Sequence, residues 1–154
     1  MPVERPAPLD RAWIAAHIPH QGRMCLIDEV LLYDAEHIRC VSRGVKAVDH
    51  PLRAHGRLGA ACGIEIAAQA MAVHGALLAP APSAAPRFGV LASVRGVQFH
   101  CLRLDDVAEE LICDARRMAG DEGTAVYEFE LVSGSSRLLS GRAAVVLDAQ
   151  GVIR

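Results

Sequence analysis

Arg57-Leu58-Gly59-Ala60-Ala61-Cys62-Gly63-Ile64-Glu65-Ile66-Ala67-Ala68-Gln69-Ala70-Met71-Ala72-Val73-His74-Gly75-Ala76-Leu77-Leu78-Ala79 is the stretch whose reading sets the architecture. Its alanines favour a helix, and Pro80-Ala81-Pro82 directly after it ends one. Ile64, Ile66, Met71, Val73, Leu77 and Leu78 do not gather on one stripe, which predicts a central helix enclosed by other elements. Glu65 is its only carboxylate, and Gln69, one turn later, shares its face. Burying a carboxylate costs several kcal/mol unless it is paired or protonated, so Glu65 is either a structural group bonded to backbone or arginine, or a group kept for chemistry. A membrane span ranks last, because Glu65, Gln69, His74 and glycines interrupt the run and basic anchors do not flank both ends.

Outside this stretch the bulk properties point to one domain over residues 1–154. A chain of this length buries roughly 70% of its unfolded surface. Apolar residues make up 52% of it but aromatics only 4%, so Ala, Val, Leu and Ile must build the core. The net charge of -2 and the lack of a basic run leave no footprint for nucleic acid. Cys25, Cys40, Cys62, Cys101 and Cys113 are odd in number and show no CxxC spacing, which argues against a disulfide framework and a zinc site. The first residues hold no apolar run, so neither a signal peptide nor an anchor is read, and the cytoplasm is expected.

In chain order, Asp10 caps a short helix that Pro19 ends. Met24 to Tyr33 and His37 to Lys46 read as a hairpin of two strands around Asp34-Ala35-Glu36. A loop, Ala47 to Gly56, carries His50 and His55. After the helix, Pro80 to Pro86 reads as a linker, and strands are expected at Phe88 to Phe99, Ala108 to Met118, Ala125 to Leu131 and Leu138 to Leu147. The clearest of these sets Ala125, Tyr127, Phe129 and Leu131 against Glu128 and Glu130. The plan is α+β, an antiparallel curved sheet wrapped around one long helix. Open sheet edges in such a plan are commonly closed by a second copy, so a homodimer is expected.

This plan, with Ile18-Pro19-His20 before an apolar strand, His50-Pro51 in the loop and Gly63-Ile64-Glu65-Ile66-Ala67-Ala68-Gln69-Ala70 on the helix, resembles the hot-dog fold. More narrowly it is similar to the 3-hydroxyacyl-acyl-carrier-protein dehydratases, above all their aryl-polyene branch. The specific part of the likeness runs from His50 to Leu78. The resemblance implies a lyase that uses neither cofactor nor metal. It also implies that a loop histidine, placed at His50, meets a helix carboxylate, placed at Glu65, across a dimer interface, whether the partner is the same chain or another hot-dog chain. Here His50-Pro51-Leu52 replaces the family's His-Phe-Pro and Gly56-Arg57-Leu58-Gly59 lacks its proline, so His55 stands beside His50 as a candidate.

Eliminating water from a 3-hydroxyacyl thioester requires a base for the C2 proton and an acid for the hydroxyl. A histidine that titrates near 6.5 suits the first role, and a Glu65 raised by desolvation suits the second. Amides around Gly59, Ala60, Cys62 and Gly63 at the helix start are expected to stabilise the thioester oxygen, and Gln69 to orient Glu65. His20, His74 and His100 read as structural or surface residues. Cys62, on the face of Glu65, reads as an inert thiol. Arg53, Arg57, Arg95 and Arg103 are candidates to dock an acidic carrier protein, or are solvated. A hot-dog thioesterase and a non-catalytic partner subunit are the rival readings.

Overall fold

The computed structural model describes residues 9–79, 89–121 and 123–147. The expected linker, Pro80 to Pro86, lies outside the described residues. Asp10 accepts a hydrogen bond from the Trp13 amide at 2.9 Å and caps α1 (Arg11–His17), as the sequence predicts. The long helix is α2 (Cys62–Leu78), and Ala79, before Pro80, is already extended. It begins later than expected because Ala54 pairs with Arg57 and Gly59 with Arg103 in short antiparallel bridges.

Among the described residues seven strands make one antiparallel sheet: β1 (Leu9–Asp10), β2 (Glu29–Tyr33), β3 (His37–Ser42), β4 (Gly89–Phe99), β5 (Leu111–Gly120), β6 (Thr124–Ser133) and β7 (Ser136–Leu147). Their spatial order is β1-β2-β3-β5-β6-β7-β4. Two strand starts fall later than expected, and in both places a side chain replaces the ladder. The Leu26 amide bonds Gln69 Oε1 at 2.8 Å and its carbonyl accepts from Ser42 Oγ at 2.7 Å, so pairing begins only at Glu29 and Gly22–Met24 closes a 3-10 turn. Glu109 gives both backbone groups to the Ser133 hydroxyl, and β5 begins at Leu111.

In β6 the alternation is realised: Ala125, Tyr127, Phe129 and Leu131 are buried, while outward Glu128 pairs with Arg142 at 2.9 Å and Glu130 with Arg137 at 3.1 Å. The helix lies against this inner face, with Ile66, Ala67, Ala70, Met71 and Val73 in one buried cluster with Cys40, Cys113, Tyr127 and Leu131. Gly63 permits the close approach, since a Cβ there would meet Leu139 Cδ2 at 2.7 Å. Enclosure is less complete than the sequence predicts: Ile64, Glu65, Ala68 and Ala72 stay half-exposed, because one chain's sheet covers a single side of α2. Strand β4 is a sheet edge that leaves Phe99 49% exposed.

His74 is structural, as expected, and fully buried. Its Nε2 faces the Asp34 carbonyl at 2.8 Å, so that nitrogen carries the proton and Nδ1 accepts from the Tyr127 hydroxyl at 2.7 Å. Tyr127→Phe leaves Nδ1 unsatisfied and is expected to cost about 1–3 kcal/mol in denaturant unfolding. Burial, partly opposed by the Asp34 carbonyl, holds His74 below its ordinary range. The unfolded chain then binds the extra proton, so stability is full above about pH 6.5 and falls below it. In His74→Leu, melting temperatures measured from pH 7 to pH 5 should show a shallower fall; His50, shifted the same way, retains its share.

Candidate functional site

Gln69 has no exposed surface and every bond it makes is directional. Its Oε1 accepts from the Leu26 amide at 2.8 Å, and its Nε2 donates to the Met24 carbonyl at 2.8 Å and to Glu65 Oε1 at 3.0 Å. Gln69, expected to orient Glu65, bonds both that carboxylate and a loop carbonyl. The amide cannot flip, because reversing it would oppose a donor to Leu26 N–H.

The same oxygen of Glu65 is met by His20 Nε2 at 3.1 Å. Sequence reasoning treated His20 as structural or surface. It reaches the site because the segment after α1 is tied down: Gln21 Nε2 donates to the Ala15 and Ile18 carbonyls, and Arg11 donates to the Gly22 carbonyl at 2.8 Å. The available signal was Ile18-Pro19-His20 itself, a rigid turn placing a titratable group after a helix stop. His20 Nδ1 is buried and has no hydrogen-bond partner among the described residues.

This pairing overturns the expected raised pKa of Glu65. The hydrogen bond from His20 pulls its carboxyl below the ordinary value and outweighs the opposing desolvation, with Gln69 adding to the same direction. The carboxylate is half-exposed and ionised at neutral pH. Its Oε2 has no hydrogen-bond partner among the described residues.

The loop candidates separate. His50 is 8% exposed, and its Nδ1 accepts from the Leu52 amide at 3.1 Å. Burial, helped by Arg23 and Arg53, lowers its pKa and keeps the ring neutral, with its proton on Nε2. His55 and Gly56 have φ of 54° and 76°, so His55 forms the exposed tip of a tight turn between the paired Ala54 and Arg57. His50 borders an open hollow of about 560 Å³ that also includes Arg23, Arg53 and His55. Within one chain, neither loop histidine bonds Glu65.

The helix start also differs from expectation. The amides of Cys62 and Gly63 bond the carbonyls of Gly59 and Ala60 at 3.0 Å each, and the Ala60 amide bonds the Leu102 carbonyl at 3.1 Å, so these donors are spent within the fold. Gly63 faces Leu139 and Leu131, whereas open space surrounds Gly59. The Cys62 thiol, pushed up by burial, points to the Leu52 carbonyl at 3.8 Å. Arg53 and Arg103 both bind the buried Asp105, at 3.0 and 2.6 Å, which commits them to the fold. Arg57 and Arg95 form no ion pair among the described residues and stay exposed.

A sequence profile of the ApeP-like family, described as ApeP dehydratase, matches residues 12–152. Among solved structures the chain is similar to the dehydratase heterocomplex ApeI:P from Xenorhabdus doucetiae, at 23% identity over 86% of this chain and 89% of that one, with a TM-score of 0.75. It is also similar to a mutant of the thioesterase PA1618 from Pseudomonas aeruginosa, at 15% identity over 79% and 80% of the two chains, TM-score 0.56. The E. coli PaaI protein from the phenylacetic acid degradation operon gives 14% identity over 76% and 80%, TM-score 0.56. No curated protein matches the chain. These likenesses establish the hot-dog fold.

Gln69→Leu strands the Leu26 amide and the Met24 carbonyl in the core. It is expected to cost about 2 kcal/mol or more in chemical denaturation, with the loss read as a lower midpoint at unchanged slope.

Proposed function

The chain belongs to the ApeP-like dehydratase family, and on that premise we propose that it removes water from 3-hydroxyacyl thioesters carried on an acyl carrier protein, in aryl-polyene assembly in the cytoplasm. The observation that carries this reading is the helix carboxylate: Glu65 is ionised, held through one oxygen and open at the other, at the start of the central helix of a hot-dog sheet. His50 supplies the second group, from a partner chain. Five free cysteines suit a reducing compartment, and no helix among the described residues is long and apolar enough to cross a membrane.

Support for a partner comes from the open edge of β4 and from the half-exposed stripe of α2 around Glu65. A second hot-dog chain, identical or not, would cover both. The altered loop, with His50-Pro51-Leu52 and no proline before the helix, favours one other reading: a non-catalytic subunit beside an active hot-dog chain. The thioesterase reading has only the shared fold behind it.

Incubating the protein, alone and with its hot-dog partner, with a 3-hydroxyacyl thioester separates these. Rising enoyl-thioester absorbance is the expected result, and release of free thiol would indicate hydrolysis. Glu65→Gln keeps the Gln69 neighbour occupied and should lower kcat/KM at least 100-fold. An unchanged rate in that variant would make the chain the non-catalytic member of its pair.

A further inference from the structure

We infer that Asp105 is a positioning residue: through Arg53 it ties the loop of residues 47–57, which carries His50, to the segment that braces the start of α2. The inference rests on the dehydratase reading above and adds to it the group that fixes how far His50 reaches out of its own chain.

Three observations carry it. The first is an ion pair away from solvent: the Asp105 side chain is 3% exposed, its Oδ2 lies 3.0 Å from Arg53 Nη1 and 2.6 Å from Arg103 Nη2, and its Oδ1 accepts from Arg103 Nε at 2.8 Å. A buried carboxylate holds its cations closely, because separating them leaves uncompensated charge out of water. Arg103 keeps the Asp105 carboxyl well below the ordinary carboxylate range, so the group is charged at neutral pH. The second is how little else anchors the loop. Its hydrogen bonds turn inward: His50 N–H bonds the Ala47 carbonyl at 3.1 Å, Arg53 N–H the His50 carbonyl at 3.0 Å, and Arg53 Nη2 the Gly56 carbonyl at 2.8 Å. Among the described residues its other polar side-chain links outward are a 3.9 Å approach of exposed Arg23 to Asp49 and a 3.8 Å contact of Cys62 Sγ with the Leu52 carbonyl. The third is the brace itself. Asp105 follows a segment whose Leu104 amide bonds the Leu58 carbonyl at 2.8 Å and whose Leu102 carbonyl accepts from the Ala60 amide at 3.1 Å, with Leu58 and Leu104 fully buried. One buried carboxylate therefore registers the His50 loop against the entry to the helix that bears Glu65.

The consequence for the reaction is geometric. Arg53 is fixed at both ends, its amide on the His50 carbonyl and its guanidinium on Asp105, so a displaced guanidinium carries His50 with it. The Leu52 amide holds Nδ1 of the His50 ring at 3.1 Å, which leaves Nε2 as the atom available to a substrate. Proton transfer through that atom needs hydrogen-bond reach, and a misplacement of about 1 Å costs about 100-fold in rate. Without Asp105, Arg53 has an open hollow of about 560 Å³ in which to turn, and the loop follows it. Because Arg53 also borders that hollow, direct contact with substrate is the competing account of its role, and steady-state kinetics separate the two.

The experiment compares wild type with Arg53→Met, Asp105→Asn and Arg53→Lys, each assayed together with its hot-dog partner. Arg53→Met cuts the tie and leaves the Asp105–Arg103 pair in place, so it tests the loop even where Asp105→Asn does not fold. Positioning predicts a kcat lower by about 10-fold or more, with KM within about 2-fold of wild type, in both variants. Arg53→Lys, whose ammonium still reaches Asp105, should regain part of that loss. Backbone nitrogen order parameters, which do not depend on turnover, should fall at His50, Leu52 and Ala54 from about 0.85 to below about 0.6 in Arg53→Met, while those of β6 hold. Order parameters that stay at the wild-type level in a folded Arg53→Met overturn the inference, as does a raised KM at unchanged kcat, which would make Arg53 a substrate contact. If no pairing of the wild type dehydrates a 3-hydroxyacyl thioester, the dehydratase reading fails, and the order parameters still decide whether Asp105 holds the loop.

Discussion

The buried amide of Gln69 is the constraint on which the rest depends. It satisfies one donor and one acceptor of a backbone stretch that has left the sheet, and spends its remaining N–H on Glu65. An unmet backbone group in that position would cost about as much as a lost core contact. The residues 24–26 and the second turn of α2 are therefore locked in one register, and Glu65 is aimed by the same bonds that hold the fold together. The segment bearing His20 lies just before that stretch, so its distance to Glu65 is set by the clamp as well.

Around this clamp the core is built from small side chains. With few aromatics, the sheet can close on α2 only where the helix is thin. Gly63 supplies this, lying so near Leu131 and Leu139 that a methyl group would force them to shift. Gly63, whose amide was expected to face a thioester oxygen, thus serves helix–sheet packing, and the amides beside it serve the turn leading into the helix. The start of α2 is accordingly a structural joint that presents Glu65, with most of its own donors already committed.

Much of this was legible in the sequence where a local rule decided the outcome. The period-two pattern of β6, the Asp10 cap and the shared face of Glu65 and Gln69 all follow from spacing within one element. The residues from Cys25 to Asp28 misled because an apolar run looks like a strand, while Gln69 and Ser42, distant in sequence, took over the backbone bonds of Leu26 in its middle. His20 was missed for the same reason: its partner lies on another element, and no spacing rule links them. Burial, visible from composition, predicted a raised Glu65; the hydrogen bond that reverses the sign exists only in three dimensions.

That reversal has a chemical consequence under the dehydratase reading. A carboxyl group held below its ordinary range has little proton to lend at neutral pH, and the proton beside a thioester carbonyl is a weak acid. The gap must be met by stabilising the enolate oxygen, since each properly placed donor is worth about 3 kcal/mol of barrier. Within one chain the Ala60, Cys62 and Gly63 amides are bonded inside the fold, and among the described residues His50 forms no hydrogen bond with Glu65. The missing donor has to arrive from outside the chain, over the half-exposed face of α2 and beside the open edge of β4. On this argument, a second hot-dog chain would supply a donor that a single chain lacks and would cover the open edge of β4.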